Sequence, residues 1–190
     1  MSLWGNDIKP KNLTTAEKKE VFANTKGWVR EAGSVLSGNG NTSADPEVLV
    51  ALRGLNVKMG TANITEIEFV TTSFDKSAGG NIDVRVRFNE PVTVTGTPRV
   101  SITNGNQGTG TGRGPHLANY LSGSTTNELL FRCTIAAANA ATNADDVLVI
   151  GTNATALNSG TIKDTGTSTV STITNSSAIG TAAGSITVVA

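Results

Sequence analysis

One glycine-rich stretch has a composition that could cradle a phosphate. Residues 105–114, GNQGTGTGRG, alternate glycine with small polar residues and include Arg113. A P-loop needs Gly-Lys-Ser/Thr at the start of a helix, and a dinucleotide site needs a strand, a turn and a helix. Here Pro115 leads into a strand-like segment instead. We therefore interpret the stretch as a hairpin loop, with contact to a partner through Arg113 as the alternative.

Acidic side chains could bind Ca²⁺. Asp145, Asp146 and Asp164 offer the oxygen ligands that Ca²⁺ prefers, but their spacing matches no EF-hand loop, and loop carboxylates are commonly solvated. A glycosidase would need two carboxylates that face each other across a cleft, and nothing in the sequence places a pair so. We expect no metal and no cofactor.

Nucleophilic catalysis is the remaining kind of chemistry to consider. The single cysteine, Cys133, excludes an intrachain disulfide and shares an apolar face with Phe131 and Ile135, which predicts a buried structural thiol. The single histidine, His116, lies in a polar segment and is expected at the surface, and no Ser-His-Asp order stands out. The sequence therefore indicates a protein that is not an enzyme.

The elements that must position these residues are strands. In residues 81–100, Ile82, Val84, Val86 and Phe88 alternate with polar residues, the period of a strand with one face in the core and one in water. A break is possible at Pro91. Glu66 and Glu68 share one face of the preceding strand, and Arg85 and Arg87 share one face of this strand. Cross-strand ion pairs follow if the two strands are neighbours.

The composition excludes further classes of function. The chain has 190 residues, 15 Lys and Arg against 15 Asp and Glu, and only 16% charged residues. A formal net charge of zero gives no field for nucleic acid or an anionic membrane. There is no apolar run of signal-peptide or membrane-span length, which predicts synthesis in a host cytoplasm without a signal peptide.

Residues 1–60 form a predicted N-terminal attachment element. Thr14 and Glu17 fit a capping box that starts a short helix, and residues 21–30 fit a hairpin around residues 24–27, with a continuing helix as the alternative. A polar loop and a strand near residues 47–55 follow. Three aromatic residues could bind a partner or fill a private core: Trp4, Phe22 and Trp28.

Residues 61–190 are predicted to form a β-sandwich. Short apolar runs alternate with turn residues at sandwich spacing. The expected strands are residues 64–74, 81–94, 100–102, 117–121, 128–135, 147–150, 161–162 and 186–189.

Four segments of this region resemble the bacterial Ig-like repeats of the cyanobacterial swimming-motility cell-surface protein. They are residues 86–98 (VRFNEPVTVTGTP), 118–124 (ANYLSGS), 129–131 (LLF) and 157–164 (LNSGTIKD), in matching order over residues 64–165. The resemblance implies an all-β, Ig-like Greek-key sandwich used as a spacer or display module. Two departures, residues 136–144 and 165–167, replace the Gly-Asp-rich turn and the Ala-Ala-Gly-Asn tail of that family and weaken a calcium role.

The N-terminus is similar to the opening of structural proteins of marine T4-like phages, particularly cyanophages. The similarity lies in residues 2–6 (SLWGN), 9–11 (KPK), 16–19 (AEKK) and 27–29 (GWV). It implies a virion structural protein, most simply a capsid decoration protein on the capsid surface, whose partner is the major capsid protein. A host-surface glycan and a second copy of the chain are further possible partners.

Three other functions stay open. The chain could be a tail or neck adaptor, a carbohydrate-binding or adhesin module, or a filament or surface-layer subunit. Sugar sites commonly offer exposed aromatic platforms, whereas most aromatic residues after residue 60 fall at predicted core positions.

Overall fold

The computed structural model describes residues 10, 13–34, 40–104, 115–139 and 142–190. Trp4 and Arg113, two of the predicted partner-binding residues, lie outside these ranges. Within them, no helix is long and apolar enough to cross a membrane.

The N-terminal part begins with a helix that has a side-chain cap. Helix α1, Thr15–Lys19, follows Thr14, whose Oγ1 accepts the Glu17 N–H while the Glu17 carboxylate accepts the Thr14 N–H. This is the predicted capping box. A three-stranded sheet follows, in the order β1, β2, β3, and then a second short helix. Their bounds are β1 Val21–Asn24, β2 Gly27–Arg30, β3 Glu47–Ala51 and α2 Leu55–Lys58.

The remainder of the chain is built almost entirely from strands. These are β4 Ile64–Phe69, β5 Phe74–Asp75, β6 Gly80–Thr95, β7 Arg99–Asn104, β8 His116–Ser122, β9 Thr126–Ile135, β10 Val147–Ala156, β11 Thr161–Asp164 and β12 Ser185–Val189, with helix α3 Ser177–Ala182 before the last strand. They pair in the order β11-β6-β9-β8-β7-β10-β12-β5, and β4 pairs with β6. The sheet packs on itself in a sandwich-like arrangement, so the predicted all-β class is confirmed.

Strand β6 organises this sheet. It pairs with β9 along one edge, and β4 and β11 pair with successive stretches of it. Ile82, Val84, Val86 and Phe88 are all buried in the main core, which confirms the predicted apolar face.

The predicted strand over residues 81–94 is confirmed, and β6 continues through Pro91, because the pairing with β9 shifts register between Arg87 and Val92, where a residue without an N–H is tolerated. Two local predictions were wrong. Residues 64–74 form two strands, β4 and β5, and not one. The polar face of β6 is not all in water either: Arg87 and Asn89 are buried. Glu31 of the N-terminal part lies against Arg87, and the Asn63 N–H donates to Asn89.

Candidate functional site

The predicted aromatic anchors point inward within this chain. Trp28 is 1% exposed and packs in a small core with Val21, Ala23 and Leu55, which is the second of the two uses that the sequence left open. Phe22 is also buried; it lines a groove against Glu31 and β9. In the described chain, neither residue offers a free aromatic surface.

A cluster of charged residues lies where the N-terminal part meets β4, β6 and β9. We call it the junction cluster. Its members are Lys19, Glu31, Glu66, Glu68, Arg85, Arg87 and Glu128. The sequence identified four of these residues, and the register confirms the predicted pairing, since Glu66 lies opposite Arg87 and Glu68 lies opposite Arg85.

Arg87 is the centre of the cluster. Its Nη1 lies 2.7 Å from Glu66 Oε2 and 3.2 Å from Glu68 Oε1, and its Nε donates to Glu128 on the opposite neighbouring strand. Burial alone would lower the pKa of Arg87, but the charge and hydrogen bonds of Glu128, and then Glu66 and Glu68, raise it. The guanidinium therefore stays charged and holds three strands together.

The N-terminal part contributes two residues of opposite charge to the junction cluster. Lys19, in the last turn of α1, places its Nζ 2.5 Å from Glu66 Oε1. Glu31 follows β2, and its Oε1 lies 3.8 Å from Arg87 Nη2. The two contacts bridge the small sheet and the large one, so the junction cluster fixes one to the other.

Within the junction cluster, the ionised form of Glu31 is destabilised. The cluster has four carboxylates and three cations, and the nearest partners of Arg87 are already Glu66 and Glu128. Burial, followed by the charge of Glu128, raises the pKa of Glu31 to about 7, against the opposing effect of Arg87. A protonated Glu31 can donate to Glu128, and an ionised one faces a like charge.

A second pair of acidic residues is buried at the end of β11. Glu90, in β6, is fully buried, and its pKa is raised to about 8 by burial and then by the neighbouring Asp164. One oxygen of Asp164, Oδ1, accepts the N–H groups of Gly166 at 2.6 Å and Thr167 at 2.8 Å. The sequence analysis considered Asp164 as a calcium ligand together with Asp145 and Asp146 and did not favour it. Its acidic neighbour in the structure is Glu90, and no local sequence pattern marks that contact.

Asp146 has a different setting from Asp164. It is buried, and its Oδ2 accepts from Asn104 Nδ2 at 3.2 Å and from the Asn143 N–H at 2.5 Å. In the part of the chain that the structure describes, no group of three or more His, Cys, Asp and Glu side chains is placed to hold a metal ion.

The candidate nucleophile and base are both set in structural roles. His116 is buried, not at the surface as predicted, because its ring packs beside Thr142, with Nε2 3.2 Å from Oγ1. Burial lowers its pKa, although Asp146 opposes this. Cys133 is half-buried against the main core, and burial raises the pKa of its thiol, the opposite of what an activated cysteine needs.

Comparisons with known proteins found no relative of this chain. No family model, no curated protein and no solved structure matches this chain. The resemblances to an Ig-like repeat and to phage structural proteins therefore stay predictions.

Proposed function

We propose that this chain is a virion structural protein of a tailed phage, a capsid decoration protein that binds the major capsid protein through residues 1–60. Residues 61–190 would form an Ig-like Greek-key domain displayed outward. The proposal gives the protein no catalytic role. Its support is the pair of sequence resemblances together with the two-part architecture, in which a small sheet is fixed on a larger one by the junction cluster.

The observation that carries the docking mode is the outer edge of the small sheet. β3 is the last strand in the order β1-β2-β3 and, among the described strands, pairs only with β2. Its Val48 side chain is 43% exposed. An unpaired edge with exposed apolar residues is a template for strand addition, in which a partner's backbone supplies the hydrogen bonds.

The junction cluster would hold the edge strand β3 in a fixed position for docking. A docking strand held on a loose element would lose affinity to the entropy of ordering it on binding. Lys19 and Glu31 fix the element on the sandwich before the partner arrives, so the displayed domain would follow the orientation of β3 on the capsid.

The test uses phage particles that lack this protein and the purified chain added back. We expect cryo-EM density on the capsomers, and we expect Val48→Lys to reduce the bound fraction about tenfold, because a lysine on an edge strand opposes strand addition. Val170→Lys, on the sandwich at 55% exposure, is the matched control and should bind as the parent does.

Other locations would overturn the assignment. Density on the neck or tail with bare capsomers would favour the adaptor function. Binding to a glycan array by a chain that leaves particles undecorated would favour the adhesin function.

A further inference from the structure

A groove of about 460 Å³ runs beside β4, between helices α1 and α3. Lys18 and Lys19 form its wall on the α1 side. Its wall on the α3 side is apolar and consists of Ala178, Ile179 and Ala182. Ala178 and Ala182 are both exposed and lie one turn apart, on the same face of the helix. The α3 wall is therefore apolar surface that a further segment of chain can cover.

The floor of the groove is the outer edge of β4. Ile64 lies opposite Phe88, whose side chain is in the main core. Glu66 lies opposite Arg87, on the other face of β6. Ile64, Thr65 and Glu66 all line the groove, and a groove that contacts both faces of a strand runs along its edge. The inner edge of β4 pairs with β6, and among the described strands β4 has no other partner, so the groove follows its unpaired edge.

The groove has three features that suit an extended segment. An unpaired strand edge offers backbone N–H and C=O groups for strand addition. The α3 wall offers apolar surface. The α1 wall offers a positive charge, because Lys18 has no ion pair within the described residues, whereas Lys19 pairs with Glu66. The complementary segment is therefore extended, apolar toward α3 and acidic toward α1.

Residues 2–8, SLWGNDI, have this pattern. They lie outside the described ranges. Successive side chains of an extended segment point to opposite sides, which would put Trp4 and Ile8 on one side and Asp7 on the other. The large apolar side chains would then face α3, and the carboxylate would face the lysines of α1.

The same residues are attached beside the groove. Thr14 follows Ile8 by six residues, which span at most about 20 Å when extended. Thr14 caps α1, and Lys18 lies about one helical turn further along. A tethered segment reaches an effective concentration of about millimolar and loses less entropy on docking than a free peptide. Residues 2–8 therefore have an advantage over any segment of another molecule.

We propose that residues 2–8 add to the outer edge of β4 as a strand, with Trp4 against Ala178 and Ala182 and with Asp7 beside Lys18. The added strand would close the large sheet at this edge and cover the apolar wall of α3. The groove and the segment belong to one chain, so this contact needs no capsid.

The first measurement is acrylamide quenching of tryptophan fluorescence in the full chain. Trp28 is 1% exposed, so quenching reports mainly on Trp4, the other tryptophan. We expect weak quenching of the parent and strong quenching of Ala182→Gln, whose longer side chain fills the groove without a change in charge. Thr181→Gln is the matched control, because Thr181 is the adjacent exposed residue of α3 and does not line the groove. It should be quenched as weakly as the parent.

The second measurement is a double-mutant cycle in Tm. Trp4→Ala and Ala182→Gln should each lower Tm by about 3–6 °C, since either change removes the packing of Trp4 on α3. The double variant should lose little more than the worse of the two single variants, because both remove the same contact. Ala182 is exposed and Trp4 lies outside both described cores, so each variant is expected to fold.

Three results would overturn the proposal. The first is a parent that is quenched as strongly as Ala182→Gln, which would leave Trp4 in water and the groove empty. The second is additive losses of Tm, which would place Trp4 against another surface. The third is a parent that sediments as a dimer and an Ala182→Gln variant that sediments as a monomer, which would assign the groove to a second copy.

Discussion

Replacing Glu31 by Gln should remove a pH-dependent loss of stability that the parent protein shows between about pH 4.5 and pH 7. The pKa of Glu31 is raised from 4.5 to about 7 in the folded chain, first by burial and then by Glu128. Below pH 4.5 the group is protonated in both states. Between pH 4.5 and pH 7 the unfolded chain releases the proton while the folded chain keeps it, so the free energy of unfolding falls as pH rises.

The size of the effect follows from the same change. A rise from 4.5 to about 7 corresponds to about 3 kcal/mol, at about 1.4 kcal/mol for each tenfold change in proton affinity. The side chain of Glu31 keeps 26% of its exposure, and solvent screens part of its interaction with Glu128, so we expect about 2 kcal/mol.

The assay is urea unfolding at pH 4, 5, 6, 7 and 8, followed by tryptophan fluorescence, to which the buried Trp28 contributes. The parent should lose about 2 kcal/mol more than Glu31→Gln across this range. Glu47→Gln replaces an exposed carboxylate that pairs with Arg30 at 3.7 Å, and it should follow the parent. Taking the difference between parent and variant cancels the titration of other groups. Parallel curves for the parent and Glu31→Gln would refute the reasoning.

Three further substitutions test the packing. Arg87→Gln should cost about 3–5 kcal/mol in urea unfolding, because it leaves several carboxylates of the junction cluster without their main cation; a cost below about 1 kcal/mol would contradict that role. Trp28→Ala should lower the free energy of unfolding by about 3–5 kcal/mol and abolish the near-UV circular dichroism of the small core. An unchanged urea midpoint would mean that the small core does not depend on this residue. Gly123→Ala should lower Tm by more than Gly60→Ala. Both glycines have positive φ, but only at Gly123 would the new Cβ stand 2.0 Å from the Glu128 carbonyl oxygen. Equal losses of Tm in the two variants would exclude the clash.

Features that depend on neighbours in sequence could be predicted. The capping box of Thr14 and Glu17 spans three residues, and the apolar face of β6 follows from a period of two. The pairs of Glu66 with Arg87 and Glu68 with Arg85 needed only the further assumption that the two strands are neighbours.

Features that depend on what covers a face could not be predicted. Alternation along β6 identifies a polar face, but it carries no information on whether water or another element lies against it. Glu31 reaches that face from the N-terminal part, and Glu128 reaches it from β9. The contact of Glu90 with Asp164 joins residues on β6 and β11, and nothing in either local pattern marks it.

The wide sequence separation of the junction cluster has a consequence for synthesis on the ribosome. Glu31 and Lys19 are made early, whereas Glu128 follows Glu31 by 97 residues and is still inside the exit tunnel or untranslated when the first sheet emerges. Contacts so distant in sequence form late and slow the folding of β-rich chains. The small sheet is translated before the sandwich but attains its final place late, and until then its three strands and the edge of β3 are open to premature partners in the cell.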